Sequence, residues 1–161
     1  MKLLYSLLHV LEMALKFILQ ALMLIVTLVV TWQVFSRYVL NDPSSLTEEL
    51  ARFILIWLTL LGCAYAYRKN NHLGLDLVYA QAVGLTKKVM YYFMHIAVLS
   101  FALMVMVFGG FELMSMTDTL GQTSPALGIN ISLVYSVIPI SGALIIVFSI
   151  QNLLSPNIAE E

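Results

Sequence analysis

The chain has 161 residues, of which 61% are hydrophobic and 11% charged, with a net charge of −1 and a mean hydropathy of +0.93. A soluble domain carries about twice that charge fraction, so composition alone sets aside the soluble classes and gives an integral membrane protein; the four apolar spans read below make it all-α. No basic patch suggests nucleic acid. The one cysteine, Cys63, makes neither an intrachain disulfide nor a paired-cysteine metal site, and inside an apolar run it reads as a small packing residue.

Residues 1 to 16 read as an amphipathic helix leading into a first span, with Leu4, Leu7, Leu8, Leu11 and Leu15 at helical spacing. Lys2 and the leucines after it start like a signal peptide. However, Glu12 and Lys16 interrupt the apolar stretch and no A-x-A site follows, so an uncleaved segment is expected. Glu12 and Lys16 stand four apart in the order that favours a helical ion pair. His9 has no partner at metal spacing and reads as interfacial.

The first span covers about 17–39. Thr27 and Thr31 share a face, near Gln20 and Ser36, and such groups in lipid are best satisfied by a neighbouring helix. Trp32 and Tyr38 fit an interfacial belt, and Arg37 ends the span within reach of water. Asn41-Asp42-Pro43-Ser44-Ser45 is a turn, and Ser45 or Thr47 is placed to cap the next helix. Glu48 and Glu49 then suit the positive end of the helix dipole, and Arg52 follows Glu48 by four.

The second span, about 46–67, needs that charged first turn to reach the roughly 20 residues a crossing requires. Its last part, Gly62-Cys63-Ala64-Tyr65-Ala66, is rich in small residues that permit close helix approach. Residues 70–88 form a polar connection holding His72 and Asp76, four apart, which either fix the end of the second span or belong to an ordinary solvated turn; Leu73, Leu77, Ala80 and Gly84 suggest a short surface helix. The third span covers about 89–111 and contains His95, which lacks a second histidine at ligand spacing and reads as structural or interfacial. Gly109-Gly110 and then Glu112 end it. The fourth span covers about 131–153, with a kink expected at Pro139 and eased by Ser136, Ser141 and Gly142.

Arg68, Lys69, Lys87 and Lys88 flank the 70–88 connection, while the connections around Pro43 and Pro125 hold no basic residue within them. The positive-inside rule therefore places both termini in the cytoplasm. No Ser/His/Asp grouping, metalloprotease motif, phosphate loop or dinucleotide fingerprint occurs, and no carboxylate sits mid-span. A self-sufficient ion-coupled carrier usually needs charge or broken-helix pairs at the midplane, so the pattern reads as an accessory subunit whose polar first and second spans meet a larger membrane protein.

Arg37-Tyr38-Val39, Asn41, Pro43, Glu48-Glu49-Leu50-Ala51-Arg52, Trp57, Leu61-Gly62, Ala66, His72 and Asp76 occur in an order and spacing that closely resembles the small membrane subunit (DctQ-type) of tripartite ATP-independent periplasmic, or TRAP, transporters. Ser124-Pro125-Ala126-Leu127 and Ile138-Pro139 are similar to that family's fourth-span region, less distinctively. The chain departs from the family at Leu46-Thr47, where many members carry an aromatic, and at Cys63, often alanine. The resemblance implies a non-catalytic subunit of the bacterial inner membrane, with no cofactor or metal of its own. It implies packing on the scaffold of a large multi-span subunit, with surface for a periplasmic substrate-binding protein, in organic-acid uptake driven by an ion gradient, commonly sodium. On that reading Arg37, Tyr38, Pro43, Glu48, Glu49, Arg52, Trp57, Gly62, His72, Asp76 and Pro139 are candidate interface or structural residues. Two rivals compete with it: a small homodimeric proton-coupled multidrug exporter with Glu12 as its coupling site, and a haem-anchoring respiratory subunit using His9 and His95.

Overall fold

The computed structural model describes residues 2–42, 44–69 and 85–154, with the backbone alone over 2–7. Pro43, His72, Asp76 and the expected surface helix lie outside the described residues. Four helices carry the fold: α1 (Lys2–Tyr38), α2 (Ser45–Arg68), α3 (Leu85–Thr119) and α4 (Ile131–Leu154). Each is long and apolar enough to cross a membrane. Among the described residues the only bridge between extended segments joins Thr123 and Asn130.

The amphipathic lead-in and the first span are one unbroken rod. At about 1.5 Å per residue it is about 55 Å long, whereas the hydrocarbon layer is about 30 Å thick, so its first turns stand outside the apolar core. The inward positions of α1 repeat every seven residues. Leu8, Leu15, Leu22, Val29 and Ser36 form one row, and Glu12, Leu19, Val26 and Gln33 the other. That period of 3.5 keeps one stripe against a single neighbour along the helix. The neighbour is α2, and α1 closely approaches no other described helix.

α4 is the central element. It packs against both α2 and α3, and Val137, Ser141, Phe148 and Ser149 on it are fully enclosed. Gly142 makes this possible. A Cβ there would stand 2.7 Å from Met106 Cβ and 3.3 Å from the Ala102 carbonyl. The facing stretch of α3, Ala102–Gly109, winds as a π-helix, a form found in short pieces and often at functional positions. Gly110 admits Pro139 in the same way, with a would-be Cβ 2.9 Å from the proline Cδ.

Several expectations change. Gly109-Gly110 does not stop the helix, which runs on to Thr119 because Gly110 keeps ordinary helical angles and serves close packing instead. The break in α4 falls at Ser136, between Ile131–Tyr135 and Val137–Leu154, three residues before Pro139. Proline lacks the N–H that would bond the carbonyl four residues earlier, so the disturbance appears upstream of the ring. Ser136 and Ser141 donate to the Leu133 and Ile138 carbonyls at 2.7 and 2.9 Å. Cys63 is exposed rather than packed; its neighbour Ala64 takes the buried position. Thr27 and Thr31 bond the carbonyls of Met23 and Thr27 on their own helix, both at 2.7 Å, and need no second helix.

Gly142→Ala is expected to lower stability by about 1–3 kcal/mol, the usual cost of overpacking a filled core. Gly62→Ala, where nothing lies within 4 Å of the added carbon, leaves the thermal midpoint of the detergent-purified protein unchanged.

Candidate functional site

Of the sequence-predicted residues that are described, Arg37, Tyr38, Glu48, Glu49 and Arg52 gather at the first end of α2, while Trp57, Gly62 and Pro139 lie within the spans; a second polar cluster forms at the other end of α2. At the first end lie the 39–42 turn and the 120–130 connection. Asn41 takes a left-handed conformation, φ 54°, which asparagine tolerates better than most residues. The cap of α2 is Ser44, without a side-chain cap bond, and Thr47 donates its hydroxyl to the Ser44 carbonyl at 3.0 Å rather than capping. Glu48 meets Arg52 at 3.2 Å and Arg37 at 3.9 Å, with all three side chains at least half exposed. Pairs this wet contribute little.

Glu49 does something different. Its Oε2 accepts the backbone N–H groups of Ala126 at 2.9 Å and Leu127 at 3.1 Å. The paired glutamates are therefore not equivalent: one heads a surface ion cluster and the other holds the turn that leads into α4. That turn is closed by Ser124 N–H to the Ile129 carbonyl and by Gly128 N–H to the Ser124 carbonyl, each 2.9 Å. Asn130 then caps α4, accepting from Ser132 N–H at 3.0 Å and donating to Asp118 at 2.7 Å. Ser45, Glu48, Glu49, Arg52, Pro125 and Ala126 line an open cleft of about 230 Å³. Below it the Trp57 indole N–H donates to the Val134 carbonyl at 3.1 Å, beside the break at Ser136. Tyr38 is 75% exposed at the mouth of the turn.

The other end joins the start of α1, the finish of α2, the start of α3 and the finish of α4. Glu12 does not pair with Lys16. It lies on the stripe facing α2 and takes Arg68, at 3.2 Å, and Lys69 instead. Lys16 is turned about a quarter of the helix away from that stripe. The carboxylate beside the Lys69 ammonium raises its pKa above the ordinary lysine value. The Arg68 guanidinium lies 5.6 Å from the Phe148 ring centroid, which ties this cluster to the core of α4.

Deeper in the same end, His95 is 1% exposed. The Tyr67 hydroxyl meets its Nδ1 at 2.7 Å, and the Tyr91 ring stands edge-on 4.3 Å away. Tyr91 donates to the Asn152 carbonyl at 3.0 Å, and Ser149 donates to the His95 carbonyl at 3.0 Å. Sequence reading weighed His95 alone and missed this company. The available signal was the polar group Ser149, Gln151 and Asn152 closing an otherwise apolar helix. Among the described residues no group of three or more His, Cys, Asp and Glu gathers where a metal could be held.

The family described as "Tripartite ATP-independent periplasmic transporters, DctQ component" matches residues 26–156. The chain is 45% identical over 47 residues to the sialic acid TRAP transporter small permease protein SiaQ of Vibrio cholerae, covering 29% of this chain and 27% of that one. It is 29% identical over 137 residues to the isethionate TRAP transporter permease protein DctMQ of Oleidesulfovibrio alaskensis, covering 81% and 21%. It is 32% identical over 73 residues to a putative TRAP transporter small permease protein of Haemophilus influenzae, covering 45% of each. The chain thus matches less than half the length of each of these relatives.

Two outcomes test the geometry. Glu49→Gln weakens two backbone hydrogen bonds at once, so amide exchange at Ala126 and Leu127 accelerates at least several-fold while exchange in the middle of α4 stays slow. Tyr67→Phe removes the hydroxyl from a buried imidazole nitrogen and costs about 1–3 kcal/mol, read from thermal unfolding in detergent.

Proposed function

The chain belongs to the DctQ component family of tripartite ATP-independent periplasmic transporters, a non-catalytic permease component, and from that premise we propose that it is the fixed small subunit of a TRAP transporter in a bacterial inner membrane. It packs on the scaffold of a larger multi-span subunit and offers docking surface to a periplasmic binding protein. The assembly takes up an organic acid such as sialic acid or a C4-dicarboxylate, driven by a sodium gradient.

One observation carries the reading: among the described helices, α1 rests on α2 alone. Beyond its first turns its outward face, through Leu24, Thr27, Thr31 and Val34, is exposed, with the amide of Gln20 at its edge. Lipid covers apolar side chains at no cost, but an amide in hydrocarbon gains from a protein partner. A larger partner also fits a relative named DctMQ, of which this chain matches 21%. The names of relatives that handle sialic acid and isethionate support an organic anion as cargo.

The basic end of the bundle, with Arg68, Lys69, Lys87 and Lys88, belongs in the cytoplasm by the positive-inside rule. That orientation puts the Glu49-held turn and its cleft toward the periplasm, where a binding protein arrives. Glu12 is engaged by two cations, which favours a structural role over proton-coupled export.

Co-expression with a large TRAP membrane subunit from the same organism tests the proposal. Arg52→Glu, or Gly62→Leu on the open face of α2, is expected to cut co-purification at least several-fold while the isolated chain keeps its helical content. In liposomes a sodium gradient drives sialic acid, dicarboxylate or isethionate uptake only when the large subunit and binding protein are both supplied. Accumulation by this chain alone overturns the reading.

A further inference from the structure

At the basic end, α1 and α2 leave a cleft of about 170 Å³ lined by His9, Glu12, Met13, Lys16, Tyr65 and Lys69. We propose that this cleft is a headgroup site for an anionic glycerophospholipid of the phosphatidylglycerol type. The inference stands apart from the transport reading, because it uses only the charge, depth and shape of the cleft.

Charge comes first. Lys16 and Lys69 line the cleft and Arg68 borders it through Glu12, so three cations face one carboxylate. Glu12 engages Arg68 and Lys69, while Lys16 has no ion-pair partner among the described residues. An ammonium carries three donors, so Lys69 keeps donors beyond the one it gives to Glu12. A phosphodiester held by Lys16 and Lys69 offsets one of the two excess positive charges. Glu12, already fixed by two cations, accepts hydrogen bonds from the headgroup hydroxyls, which favours a glycerol headgroup over a choline that has none to give.

Depth is the second argument. The rod of α1 exceeds the hydrocarbon thickness, and His9 to Lys16 lie level with Arg68 and Lys69, where α2 leaves the apolar layer. Just beside the cleft Val10, Met13 and Phe17 are 61%, 59% and 72% exposed, an apolar wall along which acyl chains lie while the phosphate stays at the cations. The Tyr65 ring lines the cleft and carries the Lys69 ammonium 5.8 Å from its centroid. Basic pockets between spanning helices are suited to anionic headgroups in this way, each nearby cation contributing about 1 kcal/mol, or about five-fold in affinity.

The test uses the full chain in detergent, titrated with phosphatidylglycerol or with phosphatidylcholine of the same acyl chains and read by native mass spectrometry. Phosphatidylglycerol is expected to be retained at least about five-fold better. Lys16→Gln is expected to lower that retention about five-fold without moving the thermal midpoint, since Lys16 makes no ion pair among the described residues. Lys88→Gln, which removes a charge from the same end away from the cleft, is expected to leave retention unchanged. Equal retention of the two lipids, or equal losses in the two variants, overturns the proposal. Displacement of the lipid by millimolar inorganic phosphate also overturns it, because the site would then belong to a free anion.

Discussion

Hydrocarbon supplies no hydrogen bonds, so every polar group in this chain has to be satisfied by protein or carried to an end of the bundle. The described residues follow both routes. Thr27, Thr31 and Thr59 turn their hydroxyls onto carbonyls of their own helices at 2.7–2.8 Å. Trp57, Ser149 and the Tyr67–His95 pair use partners on another helix. The ion pairs stand at the two ends of α2, and the segment between them is apolar apart from hydroxyls and the one indole N–H. Polar chemistry thereby becomes positional: it pins helix ends and leaves the middle to packing.

Packing in the middle is set by α4. Because hydrophobic burial does not drive helices together in lipid, association depends on close contact of small residues and on specific bonds. Gly142 and Gly110 give that contact between α4 and α3, where a methyl group would meet Met106 or Pro139 at under 3 Å. The break at Ser136 lets the first turn of α4 sit under the loop that Glu49 holds, while the rest enters the core. The His95 cluster closes the opposite end of the same α3–α4 contact. One central helix is therefore fixed at its entry, its middle and its exit.

What the sequence made legible follows from how far each signal reaches. Spans are long and uniform, so hydropathy placed four of them. The Glu48–Arg52 pair is local, and its i,i+4 spacing revealed it. Spacing also suggested Glu12 with Lys16, and there it failed. The true partners, Arg68 and Lys69, lie in another helix, and nothing along the chain reveals which face of α1 meets α2 until the seven-residue stripe is seen to contain Glu12. Glu49 fails to be legible for the same reason: an acidic residue in a first turn looks like a dipole partner, and only the fold brings Ala126 and Leu127 to it. Cys63 shows a related limit. A run of small residues announces close packing without saying which of them points inward, and Ala64, one residue on, is the enclosed one.

On the proposed reading, the attachment of α1 suits a stationary role. A helix lying on one neighbour would pivot if packing alone held it. Here the stripe from Leu8 to Ser36 is fastened at both ends, by the Glu12 cluster and by the short turn through Asn41, where Asp42 N–H reaches back to the Ser36 carbonyl at 3.1 Å. Those two fastenings lie most of the helix length apart, so rotation about either is blocked by the other. The consequence is a long rod presented outward at a fixed angle, joined through α2 to a core that α4 already immobilises. Under the proposed function a moving membrane body has here a reference surface to slide against, and end-fixed helices are what keep such a surface from being displaced.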